Sequence, residues 1–521
     1  MKNHTVLLSK NKATRPQIAR CSLKNILQLT CMGKINTESI PKEVSRVAKT
    51  LKNSGFSAYL IGGCVRDLML KKEPKDWDFT TNATPEEIQK LFPDSVYENS
   101  FGTVGVKIES EDPTLKIIEV TPYRTEATYS DNRHPDKVSF SDKLEEDLAR
   151  RDFTINSLAY DPESAELVDI YKGQNDLKDK IIRTVGDPSA RFQEDALRLL
   201  RAVRLSAELS FQIEDVTREA LQKNAKLLAK ISQERIRDEF TKILNSANPS
   251  IALEVSRETS LLEQFIPELL ESVGIEQGGA HKYEVWEHLM KSLAHAVGKD
   301  YPFHVKLAVL FHDIGKPASR RAGSKKEWTF YGHEVIGAKM TKKILERMHF
   351  SRETIEKVTK LVRWHMFFAD TEQISQTAIR RMIRNVGQDM IWDLMNVRIC
   401  DRIGMGRPKE DPYRLRKYHS MIEEVMSDPV SVGMLKMNGD ILIKELHVKP
   451  GKEIGWVLHA LLEEVLEDPG LNDKIYLLKR SKELLSLDAK DLQKLGEKGK
   501  EMQEEKEQEK IEKIRKRHFV E

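Results

Sequence analysis

Gly62-Gly63-Cys64-Val65-Arg66-Asp67, followed after a short gap by Lys75-Asp76-Trp77-Asp78-Phe79, is the stretch that decides the fold. Ala58-Tyr59-Leu60-Ile61 leads into the two glycines, which predicts a strand ending in a tight turn before a helix. Glycines at such a turn let backbone N–H groups approach phosphate oxygens at a helix N-terminus. In Asp76-Trp77-Asp78 the carboxylates stand two residues apart, so on an extended strand they share one face. Two divalent ions held there, ~3.5–4 Å apart, activate an attacking hydroxyl and neutralise a triphosphate leaving group. Either motif alone has a plainer reading, a solvated surface pair or a structural turn. In the order strand, Gly-Gly, helix, Asp-x-Asp they form a single constellation.

Outward from it, Ser57 to Tyr171 alternates short apolar runs with turn residues. Phe79-Thr80-Thr81, Val104 to Ile108 and Ile117 to Val120 read as strands. Thr84-Pro85-Glu86-Glu87 reads as a capped helix start. Beyond Gly186 the period becomes helical, with apolar residues three and four apart in Ala190 to Leu209, Ser232 to Leu244 and Val285 to Val297. The expectation is an α+β chain: a small α/β head and an all-α remainder, ending in a solvated Lys/Glu/Gln-rich helix or disorder from Asp488 to Arg517.

A chain of 521 residues exceeds one core, so three or four domains are expected. The net charge of +3 is the small difference of 85 basic and 82 acidic residues, so global charge does not announce a nucleic-acid binder. Cys21, Cys31, Cys64 and Cys400 lack metal-type or paired spacing, which suits reduced thiols in the cytoplasm. No apolar run approaches the ~20 residues of a membrane span. Met1 to Thr37 carries basic but no acidic residues. That resembles a transit peptide, although a disordered basic tail, or a start at Met32, fits as well.

Strand, Gly-Gly turn, helix and Asp-x-Asp resemble the DNA polymerase β nucleotidyltransferase superfamily. Arg150-Arg151-Asp152-Phe153-Thr154-Ile155-Asn156 and Glu194-Asp195-Ala196-Leu197-Arg198-Leu199-Leu200-Arg201 narrow this to the bacterial and eukaryotic (class II) tRNA nucleotidyltransferases, over roughly Pro41 to Leu270. The resemblance implies a polymerase β-like head with a mixed sheet, then helical regions that grip tRNA. It implies addition of CCA to the tRNA 3′ end from CTP and ATP, with no template and no membrane partner; an oligomeric state is not readable. Asp76 and Asp78 would hold magnesium, with Glu119 a third acid or a strand-end partner for an arginine. Gly62, Gly63, Arg66, Arg151, Asp152, Asn156, Asp195, Arg198, Arg201 and Arg204 would meet the nucleotide: Arg151 the phosphates, Asp152 the ribose, Asp195 and Arg198 the base. Arg66 and Asp67 can equally pair with each other to hold the turn. The polar segment from Arg124 through Tyr129, Asp131, Arg133, Pro135 and Val138 to Phe140 resembles the flexible loop associated with the final A, with His134 where many relatives have arginine.

Base choice has a physical reading. Asp195 and Arg198, at i and i+3 of an apolar-periodic helix, project ~5–6 Å apart. A carboxylate accepts from the exocyclic amine of C or A, and a guanidinium donates to their ring acceptors. U and G present the opposite pattern. An intrahelical ion pair is the plainer alternative.

Histidines crowd His281 to His365, and Leu310-Phe311-His312-Asp313-Ile314-Gly315-Lys316 resembles the central motif of HD-domain metal phosphohydrolases. His288, His312, Asp313 and Asp401 fit one divalent ion, with His333 and His365 in the positions of a second. Mn, Ni, Co, Zn or Mg would suit it. In relatives the domain is linked to phosphatase and 2′,3′-cyclic phosphodiesterase activity; a degenerate fold kept for structure is the alternative. The expected domains are a basic extension (1–40), head (41–175), helical neck and body (176–275), HD domain (280–404), helical tail region (405–488) and charged end (489–521). Two other functions compete. A bacterial poly(A) polymerase shares the motifs but usually carries a basic segment where Tyr97 to Val104 is not basic, and an HD hydrolase with a vestigial transferase would show damaged motifs.

Overall fold

Short alternating runs bury one face each and must pair to satisfy their backbones. The computed structural model, which describes residues 35–97, 102–127, 137–278, 281–323, 328–367, 375–427 and 430–520, has them do so in one sheet. The basic extension before residue 35, the loop residues Tyr129, Asp131, Arg133, His134 and Pro135, and residues 98–101 lie outside the described residues. The chain divides into two compact units, Met1–Ala202 with Phe211–Lys230, and Val203–Ser210 with Ile231–Glu521.

In the first unit α1 (Lys42–Asn53), β1 (Tyr59–Ile61), α2 (Gly63–Met69), β2 (Asp78–Thr81) and α3 (Pro85–Leu91) lead to β3 (Ser95–Tyr97), β4 (Val104–Lys107) and β5 (Ile117–Pro122). β6 (Arg124–Ala127) and β7 (Lys137–Phe140) pair with each other. α4 (Leu144–Ala149), β8 (Ala159–Asp161), β9 (Glu166–Val168), α5 (Gly173–Asp179), β10 (Ile181–Ile182) and α6 (Pro188–Glu194) follow. The seven-stranded sheet runs β3-β4-β5-β2-β1-β8-β9. β2 and β5 are parallel in register Asp78↔Glu119, with Leu60, Phe79, Ile118, Val120 and Tyr160 in the core. At α3, Thr84 caps the helix as expected, and Glu87 reaches back to complete a capping box.

Two expectations need correction. β2 starts at Asp78, so Asp76 lies in the bend before it, although Glu119 N–H donates to the Trp77 carbonyl at 3.0 Å and carries the ladder one residue further. Nor is Ala190 to Leu209 one helix: α6 stops at Glu194, and α7 (Leu197–Leu209) restarts after Asp195, whose side chain caps the Leu197 N–H at 3.0 Å. Aspartate at a cap outcompetes helix continuation there.

α7 passes from the first unit into the second. β11 (Gln212–Ile213) and α8 (Asp215–Asn224) return to the first, and β11 pairs with β10. The second unit continues through α9 (Gln233–Leu244), α10 (Pro249–Glu258), α11 (Val285–Gly298), α12 (Phe303–Phe311) and α13 (Lys316–Ser319). β12 (Arg321–Ala322) pairs with β13 (Trp328–Thr329), and α14 (His333–Arg347), α15 (Arg352–Trp364), α16 (Gln376–Val386), α17 (Ile391–Gly404) and α18 (Tyr413–Met426) follow. α19 (Gly439–Leu446), α20 (Lys452–Glu467), α21 (Lys474–Leu485) and α22 (Ala489–Arg517) complete it. Among the described residues the remainder is thus helical apart from strands two residues long. The charged end is a helix, docked by a small-residue notch. A Cβ on Gly496 would sit 2.6 Å from the Trp456 Cα, and one on Gly499 would enter the His459 carbonyl. Both obstacles are backbone, so no rotamer relieves them. Gly499→Leu should therefore loosen α22 from α20 at roughly 1–3 kcal/mol. Limited proteolysis should then cut within α22 first, and a wild-type digestion pattern would contradict this packing.

Candidate active sites

The first site grows from the parallel pairing of β2 and β5. Asp78 stands beside Glu119 in register, and Asp76 lies near the Gly63 turn, its Oδ1 3.9 Å from where a Gly63 Cβ would be. Burial, then Asp76 and Glu119, push the Asp78 carboxyl up to about 7, against the opposing pull of Arg151. Three acids crowd together with one nearby guanidinium, a donor set that a divalent cation would neutralise. A divalent cation fits these residues. Gly62 adopts φ +77°, which favours glycine, and a Cβ there would crowd Arg151 Nη1 at 3.1 Å.

Behind the acids runs a hydrogen-bonded chain. Arg66 binds Asp67 at 2.9 Å and Asn156 Oδ1 at 2.8 Å, so the turn-holding pair exists and also reaches onward. Asn156 donates to Asp152 at 3.2 Å, and Arg201 Nε donates to the other Asp152 oxygen at 2.7 Å. Burial would raise Asp152, but Arg201 and Arg198 outweigh it and hold the carboxyl far below its usual range. Arg198 donates to Glu194 Oε2 at 2.5 Å, to the Arg191 carbonyl at 3.2 Å and to the Arg150 carbonyl at 3.0 Å. Glu194 is thus an ion-pair partner of Arg198. Arg204 pairs with Glu208 at 3.0 Å and with buried Glu239 at 2.8 Å, both within the second unit.

The second site assembles from five helical segments. His288 lies on α11, His312 and Asp313 follow α12, His333 opens α14, His365 ends α15 and Asp401 lies on α17. All six are buried. Asp313 bridges two groups. Its Oδ2 is 3.1 Å from His288 Nε2 and 3.3 Å from His312 Nε2, with Asp401 Oδ1 3.4 Å from His288; its Oδ1 is 3.2 Å from His333 Nε2 and 3.7 Å from His365 Nε2. His312, His333 and His365 each turn Nδ1 to a carbonyl three residues back, Val309, Phe330 and Val362, all at 2.7 Å. With Nδ1 turned to these carbonyls, Nε2 is the atom each ring presents to the cluster, the one a metal ion would use. This donor set fits two divalent ions sharing Asp313.

Two glycines allow the convergence. A Cβ at Gly315 would sit 2.5 Å from Gly337 N on α14, and one at Gly404 would meet the His288 carbonyl at 2.8 Å. A cavity of about 370 Å³ opens over the cluster between Lys316, His281, Arg398, Phe330 and Tyr331.

Residues 58–183 match the family model described as the Poly A polymerase head domain, 210–272 the probable RNA and SrmB-binding site of polymerase A, and 279–405 the HD domain. The CCA-adding enzyme of Ligilactobacillus salivarius is 32% identical over 453 residues, covering 86% of this chain and 98% of its own. The chain belongs to the CCA-adding enzyme family of tRNA nucleotidyltransferases. The chain is similar to the Lactobacillus helveticus CCA-adding enzyme, 47% identical over 218 residues, 42% of this chain and 53% of that one. It is also similar to the CC-adding tRNA nucleotidyltransferase of Thermus thermophilus, 31% identical over 419 residues, 79% of this chain and 90% of that one. Among solved structures, the Bacillus stearothermophilus CCA-adding enzyme in complex with CTP aligns with TM-score 0.54 at 26% identity, over 85% of this chain and 98% of its own.

Several positions of this CCA-adding family member escaped the reading of the sequence. Buried Asp147 clamps Arg150 at 2.7 Å and Arg151 at 3.3 Å; burial would raise it, but both arginines hold it low. Its i, i+3 and i, i+4 spacing to them was the available signal. Lys316 reaches Asp313 Oδ2 at 2.5 Å, and Arg398 pairs with Asp401. Burial would raise both aspartates, yet Lys316 and His312, and Arg398 and His312, keep them well below the usual range. The bridging geometry sets a metal count. Asp313→Ala should lose both ions, and His365→Ala only the one it shares with His333. Metal content of the purified variants by atomic emission checks this; equal loss in the two would mean a single ion.

Proposed function

We propose that the chain completes the CCA end of tRNA from CTP and ATP. The observation that carries this reading is the acid trio Asp76, Asp78 and Glu119, set beside the Gly62-Gly63 turn by β2–β5 pairing. In it Asp76 and Asp78 hold magnesium, which when bound supplies charge neutralisation for the triphosphate. Arg151, steadied by Asp147, lies against the phosphates. Asp152 and Asn156 serve the ribose side, directly or by orienting Arg201 and Arg66. Asp195 and Arg198 read the base, their orientation set before the nucleotide arrives by the Leu197 cap and by Glu194. The two free thiols among the described residues suit the cytoplasm, and no helix described is long and apolar enough to cross a membrane.

The test is incubation with tRNAs ending at the discriminator base, at C and at CC, and with an unrelated RNA, with each NTP in turn. Addition of C, C and then A to tRNA alone is expected. Products stopping at CC would instead favour the activity named for the Thermus thermophilus relative. Asp76→Ala or Asp78→Ala should abolish incorporation at saturating magnesium while tRNA binding persists; near-wild-type turnover in either would refute the metal assignment. Arg198→Ala should lose discrimination of CTP and ATP over UTP and GTP, because mismatched buried polar groups cost ~1–3 kcal/mol each. Full selectivity in that variant would end the base-reading role.

For the second site we propose a metal-dependent phosphohydrolase acting on phosphates at tRNA ends, with Mn, Ni, Co, Zn or Mg as the ion. Cleavage of 2′,3′-cyclic or terminal phosphate from tRNA in any of these metals, lost in His312→Ala with incorporation intact, is the expected result. Silence in all five metals would favour a fold kept for structure.

A further inference from the structure

Helix α16 has a charge asymmetry that neither active site uses. Ile379, Met382, Ile383 and Val386 are buried, whereas Arg380, Arg381 and Arg384 are exposed. At 100° per residue the three arginines fall within about 100° of arc and ~6 Å of axis. None has a carboxylate partner among the described residues; the one polar contact is Arg380 Nη2 to Gln376 Oε1 at 3.4 Å. The acids of neighbouring α18 are already taken. Glu423 binds Arg517 and His518, and Glu424 binds Arg515 and Ser420. Three exposed arginines without an acid partner among the described residues thus share one face of α16.

Between α16 and α18 lies a cavity of about 490 Å³ rimmed by Arg380 and Arg384, with Ile383, Val425 and Met426 on its walls. Guanidinium groups above an apolar recess suit a polymer with anionic backbone and flat apolar faces. Guanidinium forks match phosphate oxygens, and the recess receives a sugar or base face. We propose that the Arg380-Arg381-Arg384 face of α16 is an RNA-backbone docking surface, occupied by the tRNA substrate through its phosphates. This rests on tRNA being the substrate. An acidic protein segment is the competing occupant, but it would not need the apolar recess and has no counterpart among the protein's functions.

The test uses the full chain and tRNA lacking CCA, with dissociation constants measured across a potassium chloride series. Each phosphate contact contributes about 0.7–0.9 to the slope of log affinity against log salt. Replacing all three arginines by alanine should raise Kd about tenfold or more near physiological salt and lower the slope by up to about 3. The triple lysine variant should keep the slope, since it keeps the charge. Alanine is the best helix former, so α16 should survive, as circular dichroism and an unchanged kcat for CMP incorporation at saturating tRNA would report. A triple alanine variant with wild-type Kd and slope overturns this surface while leaving tRNA as substrate, and points to the acidic protein segment. A wild-type chain that binds tRNA no better than unrelated RNA overturns both readings. A loss of kcat at saturating tRNA with Kd unchanged also overturns it, because the face would then act on folding or chemistry.

Discussion

Carboxylates repel at short range, and this protein forces them together twice with different compensation. In the head, backbone pairing of β2 with β5 and the core beneath Phe79 and Val120 hold Asp78 beside Glu119 against that repulsion. Arg151 is the cation that opposes it, and the Asp78 proton affinity rises accordingly. The strand ladder fixes the site. In the HD region the two buried aspartates have an internal cation each, Lys316 and Arg398, and stay ionised. One site is thus strained toward a cation, while the other is already balanced and must rearrange charge to admit one.

Around the head acids, arginines are themselves steered by carboxylates. Asp147 holds Arg150 and Arg151, Asp152 holds Arg201, and Glu194 holds Arg191 and Arg198. A guanidinium fixed at one end keeps its remaining donors oriented, which lowers the entropy lost on meeting a ligand. Glycine has a parallel role among the helices: Gly315 and Gly404 let α14 and α11 come close enough for imidazoles from separate helices to converge.

Much of this was legible in the sequence because it depends on local order. The strand–Gly-Gly–helix unit, the Thr84 capping box and the His312-Asp313 pair are contiguous residues with fixed consequences. The break at Asp195 was hidden because the apolar period continues across it; only the cap at Leu197 reveals that the side chain competes with the helix. Arg204 belongs to the same periodic run as Arg201, yet its partners are Glu208 and Glu239, the latter from a helix much later in the chain. Distant partners of this kind leave no periodic trace, whereas Arg398 and Asp401 stand at i and i+3 of α17, a spacing the sequence does carry.

The carbonyl contacts of His312, His333 and His365 are made three residues back in each case, by backbone that belongs to the same helix or turn. Each imidazole is therefore oriented by its own local chain segment rather than by an ion. In small metallo-domains the ligands are gathered only when the ion arrives, so chelation unfolds them. Here the ring planes are set in advance, and the reorganisation left for metal uptake is mainly the release of water from the ion and the displacement of Lys316 from Asp313. An ion held by these residues would exchange without the protein having to unfold.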